Sequence, residues 1–112
     1  MAIPHAASGQ VIDVRPLGSA IPQSVTTTLV KTKQLEVIRL VLPAGKDIPS
    51  HQVSGEITVH CLEGDIEFRA AGQSQVLSAG QLLYLSGNEP HSLKAIQNAS
   101  VLVTIQLQHG TH

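Results

Sequence analysis

Aromatic side chains are nearly missing from this sequence, which has one Phe, one Tyr and no Trp among 112 residues. A hydrophobic content of 42% must therefore come chiefly from Val, Ile, Leu and Ala, so the expected core is aliphatic. Cysteine is reduced to Cys61, which excludes an intrachain disulfide scaffold and a Cys-based zinc cluster. Charge is scarce as well. Charged residues make up 13%, and seven Lys and Arg against eight Asp and Glu leave a net charge of -1. That balance supplies no basic footprint for nucleic acid or an anionic membrane surface. No apolar run approaches the roughly 18 residues of a membrane-crossing helix. The first ten residues lack the basic start and apolar stretch of a secretory signal, so a cytoplasmic location is expected. The length suits one domain, burying roughly two-thirds of its unfolded surface.

What is present is a period of two. Short apolar alternations are interrupted by Gly, Pro, Asn and Ser at strand-like intervals, and no segment carries a capped helical stripe. Strands are expected over 10–14, 24–31, 34–42, 56–62, 65–69, 74–77, 82–85, 91–96 and 101–107. The stretch 46–55 reads as a connection. Gly64 suits a hairpin turn because glycine takes positive φ without steric cost. Within 65–69, Ile66 and Phe68 alternate with charged neighbours as in a half-buried antiparallel strand. About nine short strands in one chain imply an all-β sandwich or barrel that closes its own edges. The expected organisation is an irregular leader over 1–9, one domain over 10–108 and a frayed tail over 109–112.

Six histidines are many for this length. Gly45 is followed after five residues by His51, with Gly64 beyond, and Gly80 is followed after ten residues by His91. With these residues the stretch 35–107 resembles the cupin family, whose members are antiparallel jelly-roll barrels, also described as a double-stranded β-helix. The family's first motif runs Gly, five residues, His-x-His, three or four residues, Glu, six residues, Gly. Its second runs Gly, five residues, Pro-x-Gly, two residues, His, three residues, Asn. Here Val53 stands at the second histidine and Ile57 at the glutamate, with Glu56 one residue early. In the second motif Ser86, Asn88 and Ala95 replace Pro, Gly and Asn.

The resemblance implies a divalent metal such as Fe, Mn, Ni or Zn, held by His51, His91 and Glu56, with open positions for substrate or dioxygen. Two imidazoles alone make a poor site, so the third ligand matters. A one-residue slip sends a strand side chain to the opposite face, and alternation puts Ile57, Val59 and Cys61 inside and Glu56, Thr58 and His60 outside. A bulge at Gly55 would be needed to turn Glu56 inward. Val53, Ile57 and Tyr84 are the expected lining of a pocket in the barrel. Cys61 reads as a small buried hydrophobe. Ser50 and Ser92 lack the strand-turn-helix setting of a hydrolase nucleophile, and His5, His109 and His112 lie in terminal segments without evident chemistry. Thr58 and His60 suit the interface of a homodimer, as in the small members the chain resembles.

Two functions remain open. One is a cupin that binds a small organic molecule with a divalent metal supporting oxygenase- or isomerase-type chemistry. The other is a metal-free, non-enzymatic protein that binds or senses a small molecule.

Overall fold

The alternating sequence segments pair into two antiparallel sheets. The structure is a computed structural model and describes residues 5–107. Nine strands follow a 3-10 turn over Gly18–Gln23: β1 (Thr27–Lys31), β2 (Leu35–Leu42), β3 (Asp47–His51), β4 (Ile57–Glu63), β5 (Asp65–Ala70), β6 (Gln73–Ser78), β7 (Leu82–Leu85), β8 (His91–Ala95) and β9 (Ala99–Gln106). The five-stranded sheet has the order β1-β2-β9-β4-β7 and the four-stranded sheet the order β3-β8-β5-β6. Packed face to face they form a jelly-roll sandwich. Glycines 45, 64 and 80, which frame the sequence motifs, all have positive φ, at 86°, 78° and 89°.

The core lies between the sheets and is aliphatic, as the composition requires. Ile57, Val59 and Cys61 of β4 are at most 3% exposed, and Ile66 and Phe68 of β5 at most 1%. Burying a side chain of this size is worth about 1.5–3 kcal/mol. Inward and outward parity along β4 and β5 therefore follows the alternation in the sequence.

Two strand expectations change. Residues 10–14 form no strand and instead belong to a segment that crosses the outer face of the five-stranded sheet, where Ile21 is buried to 2% exposure. Conversely, Asp47–His51, expected as part of a connection, pairs with β8 as an edge strand. Its mostly exposed residues and Pro49 hid it, and proline is tolerated there because an edge strand leaves some N–H groups unpaired. The expected tail over 109–112 and the first four leader residues lie outside the described residues, as do His109 and His112.

The crossing segment is fastened by a polar clasp on that outer face. Glu63 accepts hydrogen bonds from the backbone N–H of Leu17 at 2.8 Å and of Gly18 at 2.9 Å, and from Ser100 Oγ at 2.5 Å. Arg39, 8% exposed, donates to the Arg15 carbonyl at 2.6 Å and to Ser100 Oγ at 3.1 Å, and lies 3.4 Å from Glu63. A register shift between Cys61 and Glu63 adds one residue to β4 against β9. That bulge turns Glu63 out of the core and onto the face shared by Arg39 and Ser100.

Candidate functional site

The two histidines singled out in the sequence meet. His51 ends β3 and His91 opens β8, and the two are register partners with ring centroids 4.3 Å apart and ring planes tilted by 56°. Forty residues separate them in the chain, so only sheet pairing brings them together. A bulge aims one of them. Ile48 pairs with Leu93 and His51 with His91, so β3 spends three residues where β8 spends two. Without the extra residue, strand parity would send Ile48 inward and His51 outward; with it, both line the same cavity.

That cavity lies between the sheets and has a volume of about 130 Å³. The five-stranded sheet contributes Ile38, Leu40, Ile57, Val59, Val103 and Ile105, and the other sheet contributes Ile48, Phe68 and Leu93 beside the histidines. The two imidazoles are its polar groups among the described residues. His51 is exposed, which puts the opening at its end, whereas His91 is only 6% exposed and stacks on Phe68 with centroids 5.7 Å apart. The loops behind the pair brace one another through the Asn88 N–H donating to the Val53 carbonyl at 2.7 Å.

Each ring is held by its own backbone. His51 Nδ1 lies 3.1 Å from the Pro49 carbonyl oxygen and His91 Nδ1 lies 3.0 Å from that of Glu89. A carbonyl oxygen only accepts, so each bond requires a proton on Nδ1 and leaves the lone pair of the neutral ring on Nε2. Burial lowers the pKa of His91 below the ordinary histidine value. The Glu89 carbonyl opposes that shift, and the neighbouring His51 reinforces it.

The other expected site residues fall elsewhere or play smaller parts. Ile57 lines the cavity. Val53 packs against the core but does not line the cavity. Glu56 is exposed and turned away from the histidines, its carboxylate accepting from Tyr84 Oη at 2.6 Å. No bulge at Gly55 turns it inward: the register of β4 with β7 and β9 shifts only between Cys61 and Glu63, and the Gln106 N–H donates to the Glu56 carbonyl at 2.9 Å. Tyr84 pairs with Thr58 on the outer face and is 61% exposed, so it does not line the barrel. Sequence reasoning missed Ile48 and Phe68 as cavity walls. For Phe68 the signal was available, since its parity with Ile66 already turned it inward.

The chain is a cupin: residues 38–105 match the model of the cupin domain family. Among solved structures it is similar to a conserved protein of unknown function from Streptococcus pyogenes, with a TM-score of 0.75 and 21% identity over 98% of this chain and 97% of that one. A cupin superfamily protein from Desulfitobacterium hafniense matches with a TM-score of 0.75 and 13% identity over 88% and 95%. A predicted oxalate decarboxylase from Thermotoga maritima matches with a TM-score of 0.67 and 24% identity over 74% and 79%. At these identities the likeness establishes the fold. No curated protein matches the sequence significantly.

Cupins often hold a metal, and the donor set of this chain can be tested against that. Among the described residues, no three His, Cys, Asp or Glu side chains come together as a metal-binding group. With Val53 and Ile57 at two motif positions and Glu56 outside, the described donors are two imidazoles in an apolar chamber. They do not make up the set of His51, His91 and Glu56 that the resemblance implied, because Glu56 is turned away from the two rings.

Proposed function

We propose that this cupin binds a small organic molecule in the cavity between its sheets, and that it does so without a resident metal. The observation that carries this reading is the pairing of His51 and His91 on the wall of an otherwise apolar chamber. A concave apolar site with a few converging polar groups is the usual form of a small-molecule pocket. Inward Ile57 and outward Glu56 support the metal-free form over the metal-dependent one. The second reading, metal-supported oxygenase or isomerase chemistry, draws on family membership.

Elemental analysis of purified protein, beside thermal-shift measurements against a panel of small ring compounds, separates the two. The expected result is ligand-induced stabilisation in metal-free protein, reduced in His51→Ala and His91→Ala. Near-stoichiometric metal in the wild type, lost in both variants, would instead establish the metal-dependent reading. A panel that stabilises nothing removes the binding function.

The reading extends to a homodimer in the cytoplasm. The outer face of β4 and β7 supports self-association. It presents Thr58, His60, Leu82 and Tyr84, with Leu82 64% exposed and the Glu56 carboxylate held beside Tyr84. Sedimentation should give twice 11.8 kDa, and a His60→Glu change should return the monomer mass. Among the described residues no helix is long and apolar enough to cross a membrane.

A further inference from the structure

We propose that the cavity selects an uncharged ring compound of about benzene size bearing an O–H or N–H donor, and discriminates against carboxylates. This rests on the reading of the cavity as the binding site and adds the class of ligand. Three observations carry it.

Size comes first. The chamber measures about 130 Å³, and a cavity of roughly 150 Å³ lined by Leu, Ile and Phe is known to hold benzene. One six-membered ring fills it, with a small substituent extending toward the opening at His51. The wall comes second. Apart from the histidines it is made of Ile, Leu, Val and Phe side chains, which rewards an apolar body and offers nothing to hydrate a charge.

The direction of the hydrogen bonds comes third, and it separates donors from acceptors. Both Nδ1–H groups are spent on the Pro49 and Glu89 carbonyls. Each neutral ring thus retains an Nε2 acceptor, and the remaining cavity-lining side chains are hydrocarbon. A ligand O–H or N–H completes that arrangement. A hydrocarbon of the same shape leaves the acceptors without a partner. A carboxylate fares worst, because it brings an anion into an apolar chamber to face lone pairs with no donor opposite. The Glu89 carboxylate, which accepts from the backbone N–H of Ala71 at 3.2 Å, adds a negative charge near His91 that disfavours a second anion.

The discriminating experiment is titration calorimetry at pH 8 in the presence of EDTA, where an ordinary imidazole is neutral, with phenol, toluene and benzoate as probes. One neutral hydrogen bond should make phenol bind about fivefold tighter than toluene. Benzoate should bind at least ~100-fold more weakly than phenol. In His51→Ala/His91→Ala, or in His51→Ala alone if the double variant does not fold, the phenol advantage should shrink while toluene still binds. Equal affinity for phenol and toluene, or tighter benzoate than phenol, overturns the selection and leaves the cavity standing as the site. Failure of all three probes to bind overturns the cavity reading and this inference with it.

Discussion

The clasp of Arg39, Glu63 and Ser100 and the pair of His51 and His91 are both polar clusters in an aliphatic protein, and they are finished in opposite ways. In the clasp, donors and acceptors from four parts of the chain meet one another: the Glu63 carboxylate takes three hydrogen bonds at 2.5–2.9 Å, and Arg39 is spent on a carbonyl and a hydroxyl. Among the described buried side-chain atoms, Arg39 Nε alone lacks a partner. In the histidine pair, Nδ1 of each ring is anchored on a backbone carbonyl and Nε2 has no hydrogen-bond partner among the described residues. A closed polar network fixes structure, and an open one is available to a ligand. Each cluster also depends on a β-bulge, between Cys61 and Glu63 in one case and between Ile48 and His51 in the other.

Removing a member of the closed cluster should therefore cost stability and leave binding intact. Glu63→Ala strands the Arg39 guanidinium, 9% exposed, without its counter-charge and frees two backbone N–H groups. We expect a loss of about 3–5 kcal/mol in urea unfolding, a large share of the roughly 5–15 kcal/mol that holds a domain together. Arg39→Met combined with Glu63→Ala should lose less than the sum of the single changes, because the double variant leaves no unpaired charge. Additive losses would show that the two side chains act independently and that the clasp is no unit.

The complementary change blocks the open cluster and spares the fold. Val59 is 1% exposed and lines the cavity, so Val59→Phe places its ring where a ligand would sit. Ligand affinity should fall by about 100-fold or more, while stability shifts by no more than ~1–3 kcal/mol, the usual range for an enlarged core side chain. Undiminished binding would move the site out of the sandwich.

Acid separates the clusters next. Burial pushes the Glu63 carboxyl up, but the hydrogen bonds from Leu17, Ser100 and Gly18 and the nearby Arg39 outweigh it, so its pKa lies below the ordinary glutamate value of 4.5. A carboxyl held low in the folded state contributes stability above its unfolded pKa and loses it as pH falls through the folded value. Glu63→Gln should flatten the stability profile below about pH 4.5 and leave the neutral region parallel to wild type. A wild-type acid limb unchanged by this substitution would mean that other carboxylates govern it.

Much of the sandwich is legible in the sequence because alternation is local. Ile57 against Thr58, or Ile66 against Glu67, needs only neighbours for its reading, and the glycine spacing carries the family. What could not be read is what depends on strand partners. The inward turn of His51 arises from an extra residue relative to β8, and residues 47–51 give little alternation to reveal the strand, let alone its bulge. The clasp joins Leu17 and Gly18 to Glu63 across more than forty residues, which no local pattern announces. Glu56 turned on a parity that the sequence already favoured, and Tyr84 was misplaced because its face follows from pairing with Thr58.

The smallest effect probes the comparison most finely, because it sets a stability consequence inside the open cluster. Burial holds the His91 pKa down, so the unfolded chain takes up a proton at a pH where the folded chain does not. Stability is then complete above the unfolded value near 6.5 and declines as pH falls toward the folded value, below which both states are protonated and the difference no longer grows. His91→Phe removes that proton difference and retains a ring to pack on Phe68. Its unfolding free energy should therefore gain on wild type as the pH is lowered from about 7 to 5. A constant offset between the two proteins across that interval would mean that the ring titrates alike in both states, and that the chamber around it is wetter than its aliphatic walls imply.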